Sequence, residues 1–282
     1  MSKTSGILKK FAKLGLNRVQ QATVAAGRVT GLIDFPVPPN SCMRKTASGS
    51  IREYYISGLR CATPIAVCAL RAGVRLDQSI RVLDFGCGVA RPLLHFTRTY
   101  PAPAFYACDI DDTCVAFIQA NYPKVQAYTN SYFPPLKYDS GFFDMVYSVS
   151  IFSHLNPEDQ GKWLAELARV TRAGGRCFLT THGPSTVEAT ADHFGLDAPR
   201  LRARLAQEGF IYKEYEGWQE DVARSDVLRV ASHLVGVKNS YGNILLSPKY
   251  IAERWPTHGF EVETIVERVI DNFQDLVILR RI

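Results

Sequence analysis

The run Val82-Leu83-Asp84-Phe85-Gly86-Cys87-Gly88-Val89-Ala90-Arg91 constrains this chain more than any other segment. An apolar stretch ends in an acid and a Gly-x-Gly turn, and a helix begins directly after it. Glycines at such a turn let the backbone bend tightly and let a ligand approach it closely. In open parallel sheets the ligand crevice lies beyond the carboxyl ends of the strands, where strand order reverses. A dinucleotide-binding turn wants Gly-x-Gly-x-x-Gly, and Arg91 fills its third glycine position, which lowers a nicotinamide reading. Asp109 closes the next strand candidate about 20 residues further on, where an acid can accept hydrogen bonds from two ribose hydroxyls. Turn and acid together point to an adenosine-containing cofactor; the plainer alternative is a structural turn plus a helix-capping acid.

The pattern around this run alternates. Strand candidates are Arg81–Phe85, Phe105–Asp109, Val125–Tyr128, Phe143–Ser148 and Arg176–Thr181. Helical spacing marks Ile51–Gly73, where Pro64 is expected to break or kink the helix, a stretch from about Arg91, one ending at Asn121, and Pro157–Val170 with Trp163, Leu164 and Leu167 on one face. Such alternation implies a mostly parallel sheet covered on both faces. The period breaks at Gly183. Residues 184–248, with a Gly/Asn-rich turn at Asn239–Asn243, are too long for a plain connection and read as an inserted cap. A helix over Lys249–Trp255 and two strands, Phe260–Val269 and Gln274–Arg280, then resume the sheet, the last two paired antiparallel. The expected organisation is a basic N-terminal helix and Pro-rich linker (1–50), a cofactor-binding core (51–183), a cap or substrate insertion (184–248) and the C-terminal part of the core sheet (249–282).

Composition narrows the class. Hydrophobic residues make up 46% and charged residues 21% of 282, enough to bury a core without staples. Seven cysteines without paired spacing read as reduced, buried thiols of a cytoplasmic protein. No Cys/His zinc spacing is present, so no metal is expected. The net charge of +6 is concentrated: Lys3, Lys9, Lys10, Lys13, Arg18 and Arg28 precede the first acid. The remainder is near neutral, and a nucleic-acid partner is not required. Ile7, Phe11 and Leu14 recur between these cations at helical spacing. The functional reading is peripheral membrane contact beside anionic lipid; the other is a helix packing on its own domain or a partner.

At this point the chain resembles a family. VLDFGCGVAR, FYACDID, FFDMVYSVSIFSHL and ARVTRAGGRCFLTTHG, in that order, are similar to the class I S-adenosylmethionine-dependent methyltransferases over about Ile51–Gly183. The closing YIAERW, FEV and QDLVILRR resemble the end of a bacterial small-molecule and glycan-type subgroup. The resemblance implies an α/β, Rossmann-like fold: a seven-stranded, mostly parallel sheet with an antiparallel last strand and helices on both faces. It implies S-adenosylmethionine as cofactor and S-adenosylhomocysteine as product. Gly86, Cys87 and Gly88 would lie under the methionine part, Asp84 would face its amino group, and Asp109 would hold the ribose with Ile110 beside the adenine. Asn130 and Ser131 stand where the family commonly has an acid for the adenine amino group. Ser148 would offer its backbone carbonyl. Ala90 departs from a glycine of the extended motif. Tyr54, Tyr55 and Arg60 resemble a Tyr/Gly/Arg pattern in which Tyr55 joins the cofactor site and Arg60 pairs with the cofactor carboxylate.

Methyl transfer is an in-line displacement that needs the acceptor held behind the methyl group and water excluded. A hydroxyl acceptor also needs its proton removed, and histidine suits that near neutral pH. His154, just past the fourth strand, and His182, just past the fifth, are the two candidate bases; the alternative for each is a histidine that satisfies a loop carbonyl or caps a helix. His95, His193, His233 and His258 read as structural or exposed. An Asn/Asp-Pro-Pro-aromatic run after the fourth strand, as for nucleobase amines, is missing: Ser148-Val149-Ser150-Ile151-Phe152 stands there. Asn156, Glu158 and Asp159 read as helix capping rather than metal ligands. In the cap, Phe194, Tyr212, Tyr215 and Trp218 suit sugar or planar-ring acceptors, and Arg200, Arg202 and Arg204 suit anions, although an ordinary helical subdomain accounts for most of them. The expected activity is methyl transfer to a hydroxyl of a small molecule or glycan. Alternatives are transfer to a small amine, a non-catalytic cofactor-binding module, and a nucleic-acid methyltransferase guided by the basic N-terminal segment.

Overall fold

The computed structural model describes residues 21–22, 24–31, 33–40, 42–43, 50–214 and 242–282. Ile7, Phe11 and Leu14 of the expected amphipathic helix lie outside them, as do Tyr215, Trp218, His233 and Asn239.

Five strands form the parallel part of the sheet: β1 (Arg81–Phe85), β2 (Ala104–Asp109), β3 (Val125–Thr129), β4 (Phe143–Ser148) and β5 (Thr171–Thr181). Helices α1 (Ile51–Arg71), α2 (Arg91–Thr99), α3 (Asp112–Asn121) and α4 (Pro157–Val170) precede or connect them. After β5 come α5 (Val187–Phe194), α6 (Ala198–Glu208), β6 (Phe210–Glu214), β7 (Gly242–Leu246), α7 (Pro248–Arg254), β8 (Phe260–Ile270) and β9 (Gln274–Arg281). The main sheet runs β3-β2-β1-β4-β5-β9-β8. Strand β1 pairs parallel with both β2 and β4, and β9 pairs antiparallel with β5 and β8. This is the expected seven-stranded Rossmann-like architecture. Its strand order reverses between β1 and β4, so the crevice opens where the Gly86–Gly88 turn leaves β1.

Side chains alternate across the strands and build two cores. Val82, Ala107, Met145, Tyr147 and Phe178 face Tyr54, Ile65, Leu93, Phe96 and Ile118 from α1, α2 and α3. Leu83, Phe85, Val146 and Leu179 face Trp163, Leu164 and Leu167 of α4, with Trp255 beside them. Burying those three α4 side chains stabilises the fold by roughly 1.5–3 kcal/mol each. The helix starts where its chemistry says it should: Asn156 accepts from the backbone N–H of Asp159, and Pro157 occupies the first turn.

Two boundaries differ from expectation. Helix α1 is not broken at Pro64 and is continuous from Ile51 to Arg71. The proline withdraws one N–H from the carbonyl of exposed Arg60, where water can serve instead. Strand β5 starts at Thr171 rather than Arg176, with a shift in its pairing to β4 between Phe143 and Met145 and Gly174 at φ +73°. The Pro-rich linker is docked: Phe35 packs on Tyr55 at 4.9 Å between ring centres, and Asp34 pairs with Arg98.

Between β5 and α7, helices α5 and α6 and the antiparallel β6–β7 pair share a small core of Val187, Ala191, Phe194, Leu201, Leu205, Ile211 and Leu245. Gly242 and Asn243, expected in a turn, belong to β7. Arg200, Arg202 and Arg204 sit on exposed helix surface, paired with Asp197, Glu188 and Glu208. All seven cysteines are buried, and none is in a disulfide. No helix among the described residues is long and apolar enough to cross a membrane.

Candidate active site

The turn after β1 passes through Gly86 at φ +74°, Gly88 at +49° and Ala90 at +62° before α2 begins. The backbone N–H groups of Gly86 and Cys87 both donate to the Cys108 carbonyl, at 2.9 and 3.0 Å, tying the turn to the end of β2. A Cβ at Gly86 would stand 2.4 Å from Ile151 Cγ1, so glycine is required there by close approach as well as by backbone angle. At Ala90, the departure from glycine, the left-handed backbone costs about 1 kcal/mol and is tolerated as strain at the helix cap.

Asp109 is joined to this turn. Its Oδ2 accepts from the Gly88 N–H at 2.7 Å and its Oδ1 from the Asp111 N–H at 2.8 Å. Ile110, half-buried, follows it. Asp84 is almost fully buried, and the β1–β4 register sets it opposite Tyr147, whose hydroxyl donates to Asp84 Oδ2 at 2.9 Å. Burial pushes the Asp84 carboxyl up from 3.8 to about 7, helped by nearby Asp109 and opposed by the Tyr147 hydrogen bond and by Arg91.

Helix α1 covers the turn from one side. Tyr54, rather than the expected Tyr55, touches it: the Tyr54 hydroxyl donates to the Val89 carbonyl at 3.1 Å and lies 3.2 Å from the Tyr122 hydroxyl. Tyr55 instead packs its ring between Phe35 and His95. Arg60 is exposed and holds Asp271, in the β8–β9 turn, at 3.1 Å. At the end of β3, the Asn130 side-chain N–H donates to the Ser131 carbonyl at 2.7 Å, while Asn130 Oδ1 is buried with no hydrogen-bond partner. Ser148 ends β4 fully buried, its hydroxyl also without a partner.

Both candidate histidines lie past the carboxyl ends of β4 and β5, with ring centres 6.2 Å apart. His154 Nδ1 is 2.8 Å from the Gly242 carbonyl, and a carbonyl only accepts. Nδ1 therefore carries the proton and Nε2 the lone pair. Burial holds the His154 imidazole below its usual range, towards the neutral form. His182 is differently placed. Its Nε2 lies 3.3 Å from the Gln274 side-chain nitrogen, which donates, and burial with His154 nearby pushes it down to about 4. Ser150, at φ +63°, is pinned by its N–H to Thr180 Oγ1 at 2.7 Å, and its hydroxyl meets Gln274. Strand β7 clasps both histidine loops, through Gly242 N–H to the His154 carbonyl and Leu246 N–H to the His182 carbonyl.

A family model described as a methyltransferase domain matches residues 82–175, from the Gly86–Gly88 turn through Asp109, Asn130, Ser148 and His154. Residues 82–175 are thus similar to a methyltransferase domain over a third of the chain. A tRNA N(3)-cytidine methyltransferase of Danio rerio is 25% identical over 116 residues, which is 38% of this chain and 33% of that protein. The chain thus spans about a third of the length of this curated relative. Among solved structures, a Burkholderia thailandensis 1,6-didemethyltoxoflavin-N1-methyltransferase, determined with 1,6-didemethyltoxoflavin and S-adenosylhomocysteine, shares the fold at a TM-score of 0.51 and 14% identity, over 79% of this chain and 77% of that one.

The residues around the Gly86–Gly88 turn fit S-adenosylmethionine. Asn130 Oδ1 is a buried acceptor still lacking a donor, at the strand end where an adenine amino group would supply one. Gly86 and Gly88 bring positive-φ backbone without side chains beside the Asp84 and Asp109 carboxylates. No cluster of three or more metal-ligating side chains exists among the described residues. Sequence reasoning missed Tyr147, Ser150, Thr180, Gly242 and Gln274. Only Gln274 carried a signal, as the first residue of a terminal strand that enters the sheet from the crevice edge.

Proposed function

We propose that the chain transfers a methyl group from S-adenosylmethionine to a hydroxyl of a small molecule or glycan, with His154 as general base. The reading is carried by the His154–Gly242 hydrogen bond, which puts the proton on Nδ1 and orients a neutral imidazole just past the end of β4. When bound, S-adenosylmethionine supplies a methyl group activated by its sulfonium. Asp84 would receive the cofactor's ammonium, Gly86, Cys87 and Gly88 would hold its methionine part, and Asp109 would accept from its ribose. Ile110 would meet the adenine, Asn130 beside Ser131 would accept from its amino group, and Ser148 would offer its backbone carbonyl. His154 Nε2 takes the hydroxyl proton as the acceptor oxygen attacks. His182, with Nε2 engaged by Gln274, serves as a neutral wall of the acceptor site rather than as the base. Residues 51–183 form the cofactor core in this reading, and 184–248 select the acceptor.

Release of S-adenosylhomocysteine tests the proposal, with matched probes: phenols against anilines, and methyl glycosides against the corresponding amino sugars. The expected result is turnover confined to hydroxyl members, with a methyl ether identified by mass spectrometry. Turnover of the amines alone would overturn it.

A further inference from the structure

We infer that Gln274 is a positioning residue: it holds Ser150 in the backbone conformation that seats Ile151 on Gly86 and starts the turn bearing His154, and it fixes the proton of His182 on Nδ1; this rests on the proposal that S-adenosylmethionine binds at the Gly86–Gly88 turn. Gln274 is buried and is the first residue of β9. The β8–β9 hairpin closes just before it, with the Phe273 N–H donating to the Ile270 carbonyl at 3.0 Å. Ser150 Oγ lies 2.9 Å from the Gln274 side-chain nitrogen and 3.2 Å from its oxygen. The same nitrogen lies 3.3 Å from His182 Nε2. One amide thus joins the loop after β4 to the loop after β5.

The backbone at Ser150 shows why a clamp is needed. Its φ of +63° is left-handed, which a residue with a Cβ adopts at a cost and keeps only where its surroundings hold it. The Ser150 N–H is held by Thr180 Oγ1 at 2.7 Å, and the hydroxyl by Gln274. The residues that follow show what this conformation delivers. Ile151 lies so close to the cofactor turn that a Cβ at Gly86 would stand 2.4 Å from its Cγ1. The Ile151 carbonyl accepts from the His154 N–H at 3.0 Å. On the other side, the Gln274 amide nitrogen only donates, so His182 Nε2 keeps its lone pair and Nδ1 carries the proton. Without Gln274, Ser150 relaxes to an ordinary backbone and draws Ile151 off Gly86. Cofactor binding must then restore that contact, and affinity falls.

The test is calorimetric titration of S-adenosylhomocysteine into variants of the full chain, beside NMR of the imidazole nitrogens, with folding checked by thermal melts. Ser150→Ala and Ser150→Gly lose the same hydroxyl, but only glycine takes a positive φ freely. Ser150→Ala and Gln274→Met are each expected to weaken S-adenosylhomocysteine by about fivefold or more. Ser150→Gly, alone or combined with Gln274→Met, is expected to bind within about twofold of wild type. His182 is expected as the Nδ1–H tautomer in wild type and both single Ser150 variants, and to leave it whenever Gln274→Met is present. A glutamine that merely stabilises the fold would not produce this split between affinity and tautomer. Unchanged affinity in Gln274→Met, a weakening that glycine at position 150 does not relieve, or an unchanged His182 tautomer would overturn the inference. A folded wild-type protein that does not bind S-adenosylhomocysteine would instead remove the cofactor reading beneath it.

Discussion

The Asp84→Asn protein is expected to melt several degrees above wild type near pH 8 while binding S-adenosylmethionine about tenfold more weakly or worse. Both effects come from one buried carboxyl. In the cofactor-free fold, burial raises it from 3.8 to about 7. An acid with a raised folded-state pKa favours folding most when protonated. That contribution is fully present below about pH 4 and is lost as pH rises through about 7. Above neutrality the ionised, buried Asp84 costs on the order of 2–4 kcal/mol, because a tenfold change in acidity is worth about 1.4 kcal/mol. Asparagine removes the charge and keeps an oxygen to accept the Tyr147 hydroxyl, so the gain in melting temperature should shrink as pH falls towards 5. The cofactor ammonium needs the ionised form. Wild-type affinity should therefore rise with pH through about 7, and that rise should vanish in the variant. Thermal melts and titrations across this range check both halves. A variant that binds normally would detach Asp84 from the cofactor.

The second large effect falls on chemistry. His154→Gln is expected to lower kcat by about 10²- to 10⁴-fold at saturating cofactor, with S-adenosylhomocysteine affinity unchanged. The base acts when neutral. Because burial lowers its pKa, wild-type kcat should be flat near neutral pH and fall only on the acid side of the usual histidine range. That fall should be absent from the residual activity of the variant. His182→Gln should cost less, since its Nε2 is already engaged by Gln274. Saturating the cofactor separates the two titrations: in the proposed site Asp84 would govern affinity and His154 turnover. A His154→Gln enzyme with normal kcat would favour an amine acceptor, which can arrive already neutral.

What the sequence makes legible is local. The limits of β4 and α4 follow from apolar runs, period and capping residues, and the structure has them at the same residues. The Gly86–Gly88 turn and Asp109 lie far apart in the chain, yet one hydrogen bond joins them, as a strand-turn-helix next to a strand end requires. Contacts that depend on non-sequential neighbours were not legible. Tyr147 meets Asp84 only because β4 lies beside β1, across the reversal of strand order. Gln274 reaches Ser150 over 124 positions, and Gly242 reaches His154 over 88. Tyr54 and Tyr55 are adjacent on α1, so they point about 100° apart, and only the helix's seating on the turn decides which one touches it. Arg91 shows the same limit: in sequence it is merely a missing glycine, while in space its guanidinium donates to Ser57 of α1 at 3.1 Å.

The most direct measurement is titration of S-adenosylhomocysteine into the wild-type protein and an Asp109→Ala variant near pH 8, with folding of both confirmed by thermal melts. Micromolar binding by the wild type and a loss of about tenfold or more in the variant are expected, since Asp109 accepts from the Gly88 N–H and, in the proposed site, from the ribose. A folded wild-type protein with no affinity, or a variant that binds as well as wild type, would contradict the proposed site.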